Sequence, residues 1–140
     1  MLKVGVIGVG VMGAGHARFI NDHVSNAQVV ALSDVATEKM DSLARELGTV
    51  NLTTNDPAEL MNNSEVQAII IASPDQLHVS HLRLAISSGK PTLCEKPIAT
   101  SIDDARAIAK EIEDYESKIH KTMINFGFMR RFDPAYIKVK

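Results

Sequence analysis

At 140 residues, 45% hydrophobic and 23% charged, the chain has the length and composition of one globular domain with its own core. A net charge of −2, carried by charges mixed along the chain, gives no argument for a nucleic-acid footprint or a membrane-surface patch. The single cysteine, Cys94, excludes an internal disulfide, and the longest apolar run, residues 68–72, is far too short to span a bilayer. With strand-like sequence beginning almost at Met1 and no cleavable leader, these features point to a cytoplasmic protein that partners neither nucleic acid nor membrane.

The chain opens on a β-branched run, Val4-Gly5-Val6-Ile7, that stops at a glycine. Gly8, Gly10 and Gly13 stand at the G-x-G-x-x-G spacing that turns a strand sharply into a helix. Gly8 permits the bend, Gly10 leaves room for a pyrophosphate against the backbone, and Gly13 lets helix and strand approach closely. The free N–H groups at the helix start, on Val11 and Met12, then face the phosphates. A helix is expected over residues 11–24, with Val11, Met12, Ala14, Ala17, Phe19 and Ile20 toward a sheet. The next strand, residues 29–32, leads to Asp34, placed where a carboxylate meets a ribose 2′-hydroxyl. No arginine stands at 35 or 36 to receive a 2′-phosphate, so the cofactor expected is NAD rather than NADP.

A second helix is predicted over residues 37–47, with Met40, Leu43, Ala44 and Leu47 on one face and Gly48 as its stop. Residues 51–54 read as a polar edge strand, and Asp56-Pro57 as the start of a short helix to Met61. Ala68-Ile69-Ile70-Ile71-Ala72 is apolar on both faces, as a central parallel strand should be. Ser73-Pro74-Asp75 ends it, and a helix over 76–88 is expected to turn Leu77, Leu82, Leu84, Ala85 and Ile86 inward before Gly89. Thr92-Leu93-Cys94 reads as a fifth strand, followed by Glu95-Lys96-Pro97. Ser101 to Asp104 reads as a capping box opening a helix to about residue 119, with Ile102, Ala105, Ile108, Ala109 and Ile112 in its apolar pattern. Residues 122–126 supply a sixth strand.

Six strands alternating with helices give an α/β fold, a doubly wound parallel sheet of the Rossmann type in the order 3-2-1-4-5-6. Ligands of such sheets sit at the carboxyl ends of the strands, and Gly8, Asp34, Ser73-Pro74, Glu95-Lys96-Pro97 and Arg130-Arg131 each follow a strand. Lys96 is the sharpest candidate, because an ammonium there can donate to a nicotinamide ribose and a substrate hydroxyl.

The glycine-turn start, Ser73-Pro74-Asp75-Gln76-Leu77-His78, the run Gly89-Lys90-Pro91-Thr92-Leu93-Cys94-Glu95-Lys96-Pro97, and Gly127-Phe128-Met129-Arg130-Arg131-Phe132-Asp133-Pro134 together resemble the glucose–fructose oxidoreductase / inositol dehydrogenase / rhizopine-catabolism (Gfo/Idh/MocA) family. The Gly-Phe-Met-Arg-Arg ending looks most like its inositol 2-dehydrogenase branch. The resemblance implies an NAD-dependent sugar or polyol oxidoreductase, homo-oligomeric at full length. It implies a Rossmann domain over residues 1–122, and over 123–140 its last strand with the start of a second, substrate-binding α/β domain. It makes Lys96 the catalytic lysine that also touches cofactor and substrate, Arg130 a substrate contact, and Ser73, Pro74, His78 and Glu95 part of the cofactor site. The family's proton-relay aspartate and histidine belong to the second domain, so the chain reads as a cofactor-binding fragment that is inactive alone. Phe128, Phe132, Tyr136 and Ile137 would then form an exposed apolar strip.

Other features have plainer readings. His78 and His81, three apart on a helix, lack a third ligand, and no metal site is assigned. Cys94 reads as core volume and the charges between 38 and 46 as a solvated helix face. The alternative function is a dinucleotide-sensing Rossmann module without chemistry. Glu95-Lys96-Pro97 and the arginine pair favour the dehydrogenase, since a sensor needs neither.

Overall fold

The structure, a computed structural model, describes residues 1–121 and 123–138, with the side chains of Arg131 and Phe132 left aside. Six parallel strands form one sheet in the order β3-β2-β1-β4-β5-β6: β1 Leu2–Ile7, β2 Ala27–Ser33, β3 Leu52–Thr54, β4 Ala68–Ile71, β5 Thr92–Cys94 and β6 Ile124–Phe126. This is the expected order. Residue 122, the predicted start of the sixth strand, lies outside the described residues, as do 139 and 140. β1 and β4 pair at the centre, Ile7 opposite Ile71, and every residue of β4 beyond Ala68 is buried, as its unbroken apolar run requires.

Helices cover both faces, and each face has its own core. α1 (Val11–His23) and α2 (Thr37–Leu47) lie over Val4, Val6, Val29, Leu32 and Ile70, into which Ala17, Met40 and Leu43 pack. α3 (Pro57–Asn62), α4 (His78–Ser88) and α5 (Ile102–Ile119) bring Leu60, Met61, Leu82, Ala85, Ile108 and Ile112 against Ile69, Ile71 and Cys94 on the other. A short α6 (Pro134–Ile137) follows a 3-10 turn over Met129–Phe132. The predicted caps are present: Asp56 accepts from Ala58 N–H, and Ser101 accepts from Asp104 N–H. Gly48 and Gly89 end α2 and α4 in the left-handed conformation.

Three packing expectations are corrected. In α1 only Gly13 and Ala17 are buried, whereas Val11, Met12 and Phe19 are exposed. Val11 and Met12 border the cavity described below instead of the sheet, and Phe19 leans on His23 with ring centroids 5.1 Å apart. Leu77 is exposed because Asp75–Leu77 form a 3-10 turn and α4 begins only at His78. In α5 Ile102 and Ala109 face solvent, and the buried stripe is carried by Ile108 and Ile112.

Candidate functional site

The carboxyl ends of β1, β2 and β4 border a cavity of about 560 Å³, a volume suited to a small organic ligand or one end of a larger one. The glycine turn makes its floor. Gly8 has φ +89°, and a Cβ there would stand 2.5 Å from the Ala72 carbonyl oxygen. A Cβ on Gly13 would stand 1.8 Å from the Gly8 carbonyl oxygen, so β1 and α1 approach closely only without a side chain. Around Gly10, by contrast, a Cβ would meet nothing within 4 Å: the protein leaves open the space that a ligand can use. No side chain caps α1 and no acid occupies its first turn, so its leading N–H groups remain available to an anion.

Asp34 closes the turn from the end of β2. Its Oδ2 accepts the Val9 N–H at 2.7 Å and its Oδ1 the Ala36 N–H at 2.8 Å, which fixes the carboxylate with lone pairs to spare. Asn55 donates to the Asp34 carbonyl at 2.6 Å and borders the same cavity with Val35 and Pro57. Ser33, also on the wall and 1% exposed, has a hydroxyl with no partner among the described residues. An orphaned hydroxyl facing a cavity fits a polar ligand or bound water. Sequence reading missed Ser33, Val35, Asn55 and Pro57, since a strand end and a distant loop give no spacing signal.

Across the cavity stand Ser73 and Pro74, with His81 behind them, its Nδ1 2.9 Å from Ser73 Oγ. Burial, with His78 as a second cause, pulls the His81 imidazole below its ordinary pKa of 6.5. His81 is therefore a cavity residue, where a plain structural role was expected. His78 is the reverse. It is 1% exposed and does not line the cavity; Nδ1 lies 2.6 Å from the Pro97 carbonyl oxygen and Nε2 2.9 Å from that of Ser73. In the structure it joins the loops after β4 and β5.

Glu95 and Lys96 follow β5 outside the cavity lining. Glu95 is buried, with Oε1 2.8 Å from His16 Nε2 on α1, and so is occupied within the protein. Lys96 is exposed, joined to Pro97 by a cis peptide, and among the described residues its ammonium enters no ion pair. Arg130 is exposed and its guanidinium lies 4.8 Å from the Tyr136 ring centroid. Burial, then the Glu95 charge, pushes the Cys94 thiol up to about 12, consistent with its reading as core volume. No group of three potential metal ligands occurs among the described residues, and no described helix is long and apolar enough to cross a membrane.

Comparison with known proteins gives the same picture. Residues 2–122 match the profile of the oxidoreductase family with NAD-binding Rossmann fold. The chain is 39% identical over 140 residues to inositol 2-dehydrogenase 1 of Saccharopolyspora erythraea and 39% over 139 to inositol 2-dehydrogenase of Paracoccus denitrificans, covering 99% of itself and 40% of each. Among solved structures it resembles scyllo-inositol dehydrogenase from Lactobacillus casei with bound NAD(H) and scyllo-inositol, with a TM-score of 0.89 at 28% identity. That match covers 99% of this chain and 39% of the other. The chain thus spans about 40% of the length of the curated relatives it matches. The glycine turn, the strand-end carboxylate, the Glu-Lys-Pro loop and these matches place the chain in the Gfo/Idh/MocA oxidoreductase family, as its NAD-binding Rossmann domain.

Proposed function

We propose that this chain is the cofactor-binding part of an NAD-dependent dehydrogenase that oxidises a ring carbinol of an inositol-like polyol. The observation that carries the reading is the gathering of the glycine turn, Asp34, Ser73-Pro74 and the Lys96 loop at one end of a parallel sheet. Bound NAD would supply a hydride acceptor at the nicotinamide ring.

The residues fit that group. The N–H groups of Val11 and Met12 would receive the pyrophosphate, for which Gly10 leaves room, and the Asp34 carboxylate would accept from the adenosine ribose hydroxyls. Its charge repels a 2′-phosphate, which favours NAD over NADP. Val35, Pro57 and Leu77 offer apolar surface for the adenine, and Ser33 a hydroxyl that otherwise has no partner. Lys96, with its ammonium outside any ion pair among the described residues, holds the substrate oxygen and the nicotinamide ribose by hydrogen bonds. Arg130 orients the polyol. Residues 1–122 form the Rossmann domain, with 123–140 its last strand and the start of a substrate domain, and the full-length enzyme is a cytoplasmic homo-oligomer.

The test is to express the complete reading frame that carries this sequence and follow reduced nicotinamide with NAD and a panel of inositols and sugars. Turnover with an inositol, and its loss in Lys96→Ala with NAD still bound, is the expected result. A full-length protein that binds NAD but reduces none with any polyol would favour the sensing module instead.

A further inference from the structure

His16 belongs to no motif, yet it makes the one polar side-chain link described between α1 and the Lys96 loop. The α1 helix presents its free N–H groups at Val11 and Met12, and His16 follows on the next turn. Its Nε2 lies 2.8 Å from Oε1 of Glu95, where an N–H donates to the carboxylate. The other carboxylate oxygen accepts the Lys96 main-chain N–H at 3.3 Å. From the far side the backbone closes in at Gly127, where a Cβ would stand 3.1 Å from Oε2 and 3.2 Å from Oε1. Gly127 N–H also donates to the Cys94 carbonyl at 2.8 Å, so the segment leading to Arg130 is held against Cys94 and Glu95.

Glu95 is only 8% exposed. A carboxylate so enclosed must keep its donors, because leaving it unsatisfied costs more than the hydrogen bond itself contributes. His16 is the side-chain donor. Removing it sends the carboxylate in search of water or of another N–H, and the Lys96 main chain, bonded to the same group, moves with it. Nothing in the adenosine end of the cavity needs to change, since neither His16 nor Glu95 lines it.

We infer that His16 is a positioning residue: by holding the Glu95 carboxylate it fixes Lys96 relative to the phosphate-binding helix and aligns the nicotinamide end of the site. The inference rests on the reading of Lys96 as a contact of the nicotinamide half. It predicts a split between ligands that reach Lys96 and ligands that do not, which a general loosening of the fold would not produce.

The experiment is calorimetric titration of NAD and of ADP into the wild-type chain, His16→Leu, His16→Gln and Lys96→Ala. ADP fills the adenosine and pyrophosphate positions only and doubles as a control for folding. His16→Leu should weaken NAD about fivefold and leave ADP unchanged. His16→Gln, whose amide N–H can reach the same carboxylate, should restore NAD binding. Equal loss of NAD and ADP in His16→Leu, or no loss of either beside a weakened Lys96→Ala, would overturn the inference. If Lys96→Ala leaves the ratio of NAD to ADP affinity unchanged, it is the reading of Lys96 that fails.

Discussion

Gly10 and Gly13 stand in one turn, yet a methyl group added to each meets opposite surroundings. At Gly13 it would strike the Gly8 carbonyl at 1.8 Å, backbone that cannot step aside, and at Gly10 it would meet open space. Gly13→Ala should therefore cost stability, on the order of 2 kcal/mol or more, whereas Gly10→Val should change it by about 1 kcal/mol or less, as for an N-cap exchange. Denaturant titration of the two variants separates them, and a Gly13→Ala chain as stable as wild type would sink the close-approach argument. The motif already gave the three glycines different duties, and the structure adds what each faces: the Ala72 carbonyl at Gly8, open space at Gly10 and the Gly8 carbonyl at Gly13. Asp34, the proposed ribose contact, also holds the Val9 and Ala36 N–H groups. Asp34→Ala should erase the preference for NAD over NADP and also lower the melting temperature, and a variant with full NAD selectivity would remove Asp34 from the ribose site.

The elements most readable from sequence were those with one dominant pattern: the apolar run of β4, the amphipathic α2, and the capped starts at Asp56 and Ser101. α1 was readable in extent but not in facing, because its first apolar residues border a cavity that local periodicity does not reveal. The His16–Glu95 contact spans 79 positions and joins a helix to a loop four strands later in sequence, beyond any spacing rule. α4 carries a testable consequence. His81 is buried and held below its ordinary 6.5, so over that window the folded chain binds fewer protons than the unfolded one. The contribution is complete above 6.5 and is lost as pH falls through the lowered value. His81→Gln should flatten this part of the acid slope of the melting temperature below neutrality, and an unchanged slope would show that His81 charges at no cost.

At the scale of the whole molecule the strand order followed from the alternation of strands and helices together with the glycine turn after β1, which marks the Rossmann type and its order. Phe128, Tyr136 and Ile137 are exposed as expected and Met129 joins them, while the Phe132 side chain lies outside the described ones. Tyr136 lies under the Arg130 guanidinium, and Phe128 follows Gly127, whose backbone closes on Glu95. The central claim lies in the glycine turn as the pyrophosphate seat. Calorimetric titration of NAD into wild-type chain and Gly10→Val, with melting curves for both, tests it most directly. The wild-type chain should bind NAD and the variant should give no binding heat while still melting cooperatively. A folded Gly10→Val chain with wild-type affinity for NAD would contradict it.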